Sequence, residues 1–301
     1  MSSDSAETKA GVAYSITGSV FFALIYFYAT LLAHLGAAKI YGWRILMTTP
    51  FLAGFIFLSG RRKEIAAIWH RLCRTPLLWP GMALSSALLG VQLWLFMWAP
   101  VNGYGLDVSL GYFLMPLMLV LTGRLIFGEK ISRIQSIACL IAAAGVINEL
   151  LFAPRVSWPA FVVALGYPLY FALRRKMGTN MLGGMWFDMA LSLPLCLWFV
   201  LAPTTTDTPS VTALPVGLLI TGLGLLTALA MAFMIIASQK LKLGIFGLLS
   251  YVEPALLVVV AMLLGERIAP SQWLTYGSIW IAILLLAFEG LRALRQKAGA
   301  T

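Results

Sequence analysis

Apolar residues fall into ten runs of about 18–22 residues, separated by short polar segments. About 20 apolar residues are needed for a helix to cross the hydrocarbon layer of a membrane, so each run predicts one transmembrane helix. The sixth run gives the weakest signal, because it is short and contains Pro159 and Pro168. The predicted spans cover residues 12–34, 40–59, 77–98, 106–126, 134–152, 157–173, 184–201, 213–236, 244–264 and 272–291.

The fourth and ninth runs share a pattern. Each carries a proline inside an apolar stretch and ends in a Gly-Glu pair, Pro116 with Gly128-Glu129 and Pro254 with Gly265-Glu266. The two prolines are 138 residues apart and the two Gly-Glu pairs 137 apart, so the registers agree to one residue. This agreement indicates an internal duplication of about half the chain.

The basic residues predict how the two halves are inserted. With a cytoplasmic N-terminus, 17 of the 21 Lys and Arg residues fall on the cytoplasmic side, as the positive-inside rule expects. Residues 1–153 and 154–301 then each hold five spans, and an odd number inverts the second half relative to the first. We therefore predict an all-α integral membrane protein of the bacterial inner membrane, with ten spans in an inverted five-plus-five repeat and both termini cytoplasmic. This architecture is typical of secondary transporters with a central midplane site.

Composition supports a membrane protein and argues against other classes. The chain is 61% hydrophobic and only 11% charged, far from the balance of a soluble domain. The net charge of +10 lies in short clusters suited to an anionic leaflet, so nucleic acid is not an expected partner. Three scattered cysteines and two histidines predict no disulfide framework and no metal site. No catalytic or cofactor motif is present, so neither an enzyme nor a cofactor is expected. The N-terminus also lacks the features of a cleaved signal peptide.

A series of short motifs follows the order and spacing of a known family. They are Arg44, Trp98-Ala99, Asn102, Leu106-Asp107, Ser109-Leu110-Gly111-Tyr112-Phe113, Pro116, Gly128-Glu129-Lys130, Leu173-Arg174-Arg175-Lys176, Gly184-Met185, Asp188, Leu193-Pro194, Glu253-Pro254 and Gly265-Glu266. By these motifs the chain resembles the RarD branch of the EamA family in the drug/metabolite transporter superfamily. The resemblance implies export of small metabolites, amino-acid-like compounds or amphipathic drugs, and the name RarD records a link to chloramphenicol sensitivity.

The resemblance also implies a cavity lined by spans one to four and six to nine. Two departures affect that cavity. Ala23-Leu24 stands where the family usually has Trp-Gly, and Met115 where it usually has asparagine. Substrate choice is therefore not carried over from relatives.

Acidic residues inside the spans are candidate functional groups, because charge is costly in a membrane. Glu253 is a candidate for proton coupling, or a protonated residue that holds the kink at Pro254, which frees the Ser250 carbonyl. Asp188 is the second coupling candidate, or an acid paired with Lys176 or Arg175.

Two further acids lie at predicted helix ends. Asp107 is an N-cap of the fourth span, or part of an outer gate together with Pro116 and Pro254. We expect Glu149, at the outer end of the fifth span, to be solvated. Gly128 and Gly265 suit helix C-caps, and the acids that follow them are interpreted as structural.

The remaining candidates would line the cavity. Arg44 either extends to the outer interface or holds a substrate carboxylate. Tyr112 and Tyr251 precede their prolines at matching positions, and they either line the cavity or pack between helices. The third span contributes polar and aromatic side chains that either form bonds between helices or line the cavity. These are Gln92, Trp94, Trp98 and Asn102.

The partners expected from the sequence are a small-molecule substrate, the lipid bilayer and protons, with a homodimer as one possible assembly. Two rivals stay open. An uncoupled facilitator would move the substrate without protons, and a flippase for lipids or lipid-linked carriers would need a lateral opening.

Overall fold

A computed structural model describes residues 2–128, 132–152, 157–203, 215–241 and 249–298, and within these ranges the chain is α-helical with no strand. The α-helices, numbered here in chain order, are α1 (Ser2–Leu31), α2 (Ala37–Leu58), α3 (Arg62–Arg74), α4 (Leu78–Val101), α5 (Gly105–Phe127), α6 (Arg133–Phe152), α7 (Trp158–Met177), α8 (Leu182–Leu201), α9 (Val216–Lys240), α10 (Val252–Leu263) and α11 (Trp273–Ala298).

Each predicted span overlaps a helix among the described residues, and residues 213–214 and 244–248 of the eighth and ninth spans lie outside them. Among the described residues, seven helical segments are long and apolar enough to cross a membrane. They form all or part of α1, α2, α4, α5, α6, α8 and α9. Helix α10 is apolar but shorter. Helix α3 was not predicted, because it falls in a charged segment between two apolar runs.

Glycine ends two helices as the sequence predicts. Gly128 adopts a left-handed conformation, with φ of 66°, at the C-cap of α5. Gly265 has φ of 94° and follows α10. There the amide of Gly265 donates to the Met262 carbonyl and the amide of Glu266 to the Ala261 carbonyl, both at 3.0 Å, which is a Schellman motif. Glu129 and Lys130 lie outside the described residues.

The chain folds into two compact units, which are described separately. Unit 1 comprises Met1–Val20, Gly103–Pro168 and Phe233–Thr301. In this unit α5 packs against α10, and α6 packs against α11. Its apolar core includes Leu110, Phe113 and Tyr276.

Unit 2 comprises Phe21–Asn102 and Leu169–Ala232. Helix α8 packs against α2, α3 and α4 in this unit. Gly42 permits the close approach of α2 and α8, because a Cβ at this position would lie 2.7 Å from the Cys196 carbonyl oxygen. A larger residue at position 42 would push the two helices apart.

Candidate functional site

A buried ion pair in unit 2 joins the end of α7 to α8. Nη1 of Arg174 lies 3.3 Å from Oδ2 of Asp188, and the two side chains are only 4% and 0% exposed. The Tyr170 hydroxyl donates to the same oxygen at 3.0 Å, and Nη1 of Arg174 also donates to that hydroxyl. The Ser86 hydroxyl donates to the backbone carbonyl of Asp188 at 2.7 Å. The acid predicted from the sequence is therefore the centre of a polar network.

Arg174 also holds the turn between α7 and α8. Its Nη2 donates to the carbonyl of Thr179 and, at 2.7 Å, to that of Met181. Gly178, with φ of 64°, allows the turn to fold back toward the guanidinium. The sequence interpretation offered Lys176 or Arg175 as the partner of Asp188, and this pairing is wrong. Both of those basic side chains are exposed, whereas Arg174 lies within the unit.

A second buried cation lies on α2. Arg44 is 1% exposed, so its side chain does not extend to an outer interface, and that alternative is wrong. Its Nε donates to the Thr227 hydroxyl at 3.1 Å, and its guanidinium lies 5.2 Å from the centre of the Phe96 ring. A guanidinium can lie over an aromatic ring, and its planar fork of N–H donors matches the geometry of a carboxylate. This geometry suits recognition of a carboxylate.

The candidate side chains of the third span, in and next to helix α4, differ in their exposure and in their contacts. Gln92 is 2% exposed, and the rings of Trp94 and Trp98 lie 5.7 Å apart. Asn102 is exposed at the C-cap of α4, and its amide donates to the Trp98 carbonyl at 2.8 Å. That local bond gives Asn102 a structural role at the helix end.

In unit 1, Tyr112 contacts a tyrosine of α7. The hydroxyls of Tyr112 and Tyr167 are 3.0 Å apart, and Tyr112 is 8% exposed. Pro116 lies within α5, one turn after Tyr112, and proline has no N–H to contribute to the helical hydrogen bonds. Here the prediction of a proline inside the helix holds.

The second predicted proline lies in a different setting. Helix α10 begins at Val252, after a turn at residues 250–251, so Glu253 and Pro254 occupy its first turn. Residues 242–248 lie outside the described residues, so the kink at Pro254 and the freed Ser250 carbonyl stay a prediction. A first-turn amide has no intrahelical acceptor, so proline is tolerated at little cost there. Tyr251 is the N-cap residue and packs partly buried against the core of unit 1.

The start of α5 is capped from the far end of the sequence. Oε1 of Glu266 accepts from the Gly105 amide at 2.7 Å, and its Oε2 accepts from the Leu106 amide at 2.9 Å. The predicted N-cap, Asp107, instead lies in the first turn, and Tyr104 occupies the cap position. The prediction for Asp107 is wrong in this respect, since the negative charge at the two first amides comes from Glu266. The structural interpretation of Glu266 is correct.

Glu149 is a buried acid rather than a solvated one. It is 3% exposed, and its Oε1 accepts from the Ser157 hydroxyl at 2.6 Å and from the Gln272 amide at 2.9 Å. The neighbouring Asn148 donates to the Ser271 carbonyl and to the Thr275 hydroxyl, each at 2.9 Å. These bonds hold α6 to the start of α11. The adjacent polar pair at positions 148 and 149 was the available sequence signal.

Helices of membrane-crossing length that carry buried charged side chains define a multi-pass membrane protein. Residues 9–148 match the model of the EamA-like transporter family. The chain belongs to this family, in its RarD branch, and is a membrane transporter.

Two bacterial relatives match nearly the whole chain. An uncharacterized transporter of Pasteurella multocida is 38% identical over 95% of this chain and 98% of its own length. The chloramphenicol-sensitive protein RarD of Pseudomonas aeruginosa is 39% identical over 96% of this chain and 97% of its own. A solved crystal structure that is 15% identical shares the fold, with a TM-score of 0.52 over 94% of this chain and 98% of that one.

Proposed function

We propose that the chain is a secondary active exporter of small metabolites, amino-acid-like compounds or amphipathic drugs. It works by alternating access around a central site near the middle of the bacterial inner membrane. Ten spans form an inverted five-plus-five repeat of residues 1–153 and 154–301, with both termini in the cytoplasm. A homodimer is a further proposal, tested by the mass of the detergent-solubilised protein.

The pairing of helices is the observation that carries this proposal. Helix α5 packs against α10, α6 against α11, and α2 against α8. In the predicted repeat these are spans four and nine, five and ten, and two and seven. A pseudo-two-fold axis in the membrane plane brings equivalent helices together in this way, so the pairing supports an inverted repeat.

Arg44 supports a substrate that carries a carboxylate. Charge-assisted hydrogen bonds between arginine and a carboxylate are strong and are often bidentate. The guanidinium of Arg44 lies over the Phe96 ring, and the planar edge of a guanidinium suits the two oxygens of a carboxylate. The proposed set of substrate-binding residues is completed by Gln92, Trp94, Asn102, Tyr112 and Tyr251. The name of the Pseudomonas aeruginosa relative supports chloramphenicol as a first neutral test compound.

We propose proton coupling through Glu253 and Asp188. A proton on Asp188 would remove the charge that attracts Arg174 and so loosen the turn between α7 and α8. Gating is proposed at Asp107, Pro116 and Pro254, which lie in the two paired helices α5 and α10.

Proteoliposomes test the coupling. The Glu253→Gln/Asp188→Asn variant is expected to lose uphill flux driven by a pH gradient while retaining exchange at equal concentrations. Glu149→Gln is the matched control, because it neutralises another buried acid that has no proposed role in coupling. Unchanged uphill flux in the double variant would remove coupling through Glu253 and Asp188. Absence of uphill flux in the wild-type protein would instead leave an uncoupled facilitator. Movement of labelled phospholipid without solute flux would instead support the flippase.

A further inference from the structure

Helix α3 carries three different stripes along its length. Ile65, Ile68 and Leu72 face unit 2, where Ile68 and Leu72 are buried and pack near Phe187. The neighbouring stripe is exposed; Arg62 begins it, and beyond that residue it is apolar, with Ala66, Trp69 and Cys73. A third stripe is exposed and basic, and it consists of Lys63, His70 and Arg74. At 100° per residue, the basic stripe lies about 170° around the helix from the buried one.

The exposed apolar stripe continues beyond the helix. Trp69 is 53% exposed although its ring stacks on Phe187, with the ring centres 6.4 Å apart. Leu77 and Trp79, which follow α3, are 85% and 37% exposed. An aromatic and aliphatic edge beside a row of cations is typical of a helix that lies in the plane of the membrane interface.

The helix is fixed to the rest of unit 2 at both ends. The carboxylate of Glu64 accepts from the Gly183 amide at 3.1 Å. Arg71 donates to the carbonyls of Met177 and Gly178 at 2.7 and 3.1 Å. Its orientation is therefore set by folded contacts, and the two exposed stripes are presented in a defined direction.

We propose that α3 is a binding site for anionic phospholipid. The acyl chains lie along Ala66, Trp69 and Cys73, and the headgroup phosphate binds Lys63, His70 and Arg74. Charge complementarity selects an anionic lipid, and the apolar stripe selects a lipid over a soluble acidic partner. This site goes beyond solute transport and is independent of the proposed coupling.

The test uses the full-length protein in nanodiscs of phosphatidylcholine with increasing phosphatidylglycerol, with bound lipid counted by native mass spectrometry. Lys63→Gln/Arg74→Gln is expected to weaken phosphatidylglycerol retention about 30-fold, because each basic residue near the surface contributes roughly a factor of five. Arg124→Gln/Arg133→Gln is the matched control, since both side chains are exposed and it removes the same charge elsewhere. It is expected to have little effect.

Trp69→Gln tests the apolar stripe while keeping every cation. It is expected to reduce retention of phosphatidylglycerol but to leave retention of glycerophosphate, which has no acyl chains, unchanged. Equal losses in the α3 pair and the control pair would show a general charge effect and overturn the proposal. Retention equal to wild type in Lys63→Gln/Arg74→Gln would overturn it as well.

Discussion

The buried ion pair between α7 and α8 allows a quantitative prediction. Asp188→Asn removes the carboxylate 3.3 Å from Nη1 of Arg174 and leaves that guanidinium buried. Removing one partner of a buried pair costs about 3–5 kcal/mol, because the remaining charge has lost its compensation. In this variant Arg174 keeps its hydrogen bonds to the Tyr170 hydroxyl and to the Thr179 and Met181 carbonyls. We therefore expect the free energy of unfolding to fall by about 3 kcal/mol, the low end of that range.

The matched change is Arg174→Met, which removes the guanidinium but keeps an apolar stem of similar length. It also removes the bonds to the α7–α8 turn, so we expect a loss at least as large. The double variant leaves no uncompensated charge. Its destabilisation should therefore be smaller than the sum of the single losses, by roughly 1–3 kcal/mol.

The assay is thermal unfolding of the purified protein in one detergent, at one pH and one salt concentration. A loss of about 3 kcal/mol corresponds to a fall in melting temperature on the order of 6–10 °C. Additive losses in the double variant would refute the reasoning, because they would mean that the two charges do not stabilise each other in the folded protein.

Three further predictions rest on buried contacts. Gly111→Ala should lower the melting temperature by several degrees, since a Cβ would lie 2.7 Å from Cβ of Val163; native expression levels at unchanged stability would contradict this. Glu149→Ala should lower the free energy of unfolding by about 1–3 kcal/mol, because the Gln272 amide loses its buried acceptor, and Glu149→Gln should lower it less. Equal melting temperatures of Glu149→Ala and the wild-type protein would argue against a stabilising bond between Glu149 and Gln272. Arg44→Lys should keep the fold but lower affinity for carboxylate substrates about tenfold or more, measured by substrate-induced thermal shifts, because an ammonium cannot bind a carboxylate edge on.

The hydrophobic pattern predicted the helices well because the membrane sets their length. Among the described residues each apolar run overlaps a helix, and Gly128 and Gly265 end α5 and α10 as expected. Helix α3 escaped the same reasoning. It buries only a narrow stripe that includes Ile68 and Leu72, and a search for long apolar runs passes over an amphipathic helix.

The partners of buried polar groups were harder to predict. Arg174, Arg175 and Lys176 are consecutive, and only the rotation of α7 decides which one faces Asp188. Spacing offered a partial clue, since Tyr170 and Arg174 are four residues apart and share a helix face.

Contacts between residues far apart in the chain left no local sequence pattern from which to predict them. The acid that caps Gly105 is Glu266, 161 residues later in the chain. Glu149 likewise finds Gln272 at a separation of 123 residues. Such pairings depend on how the helices pack, which a single sequence does not specify residue by residue.

The proposed function requires uphill transport driven by a proton gradient. The direct measurement is uptake of chloramphenicol and of a panel of radiolabelled amino acids into proteoliposomes with an imposed pH gradient. Proton coupling predicts that at least one compound accumulates above its external concentration, and that a protonophore returns it to equilibrium. Uptake that stops at equal concentrations with and without the pH gradient would exclude proton coupling.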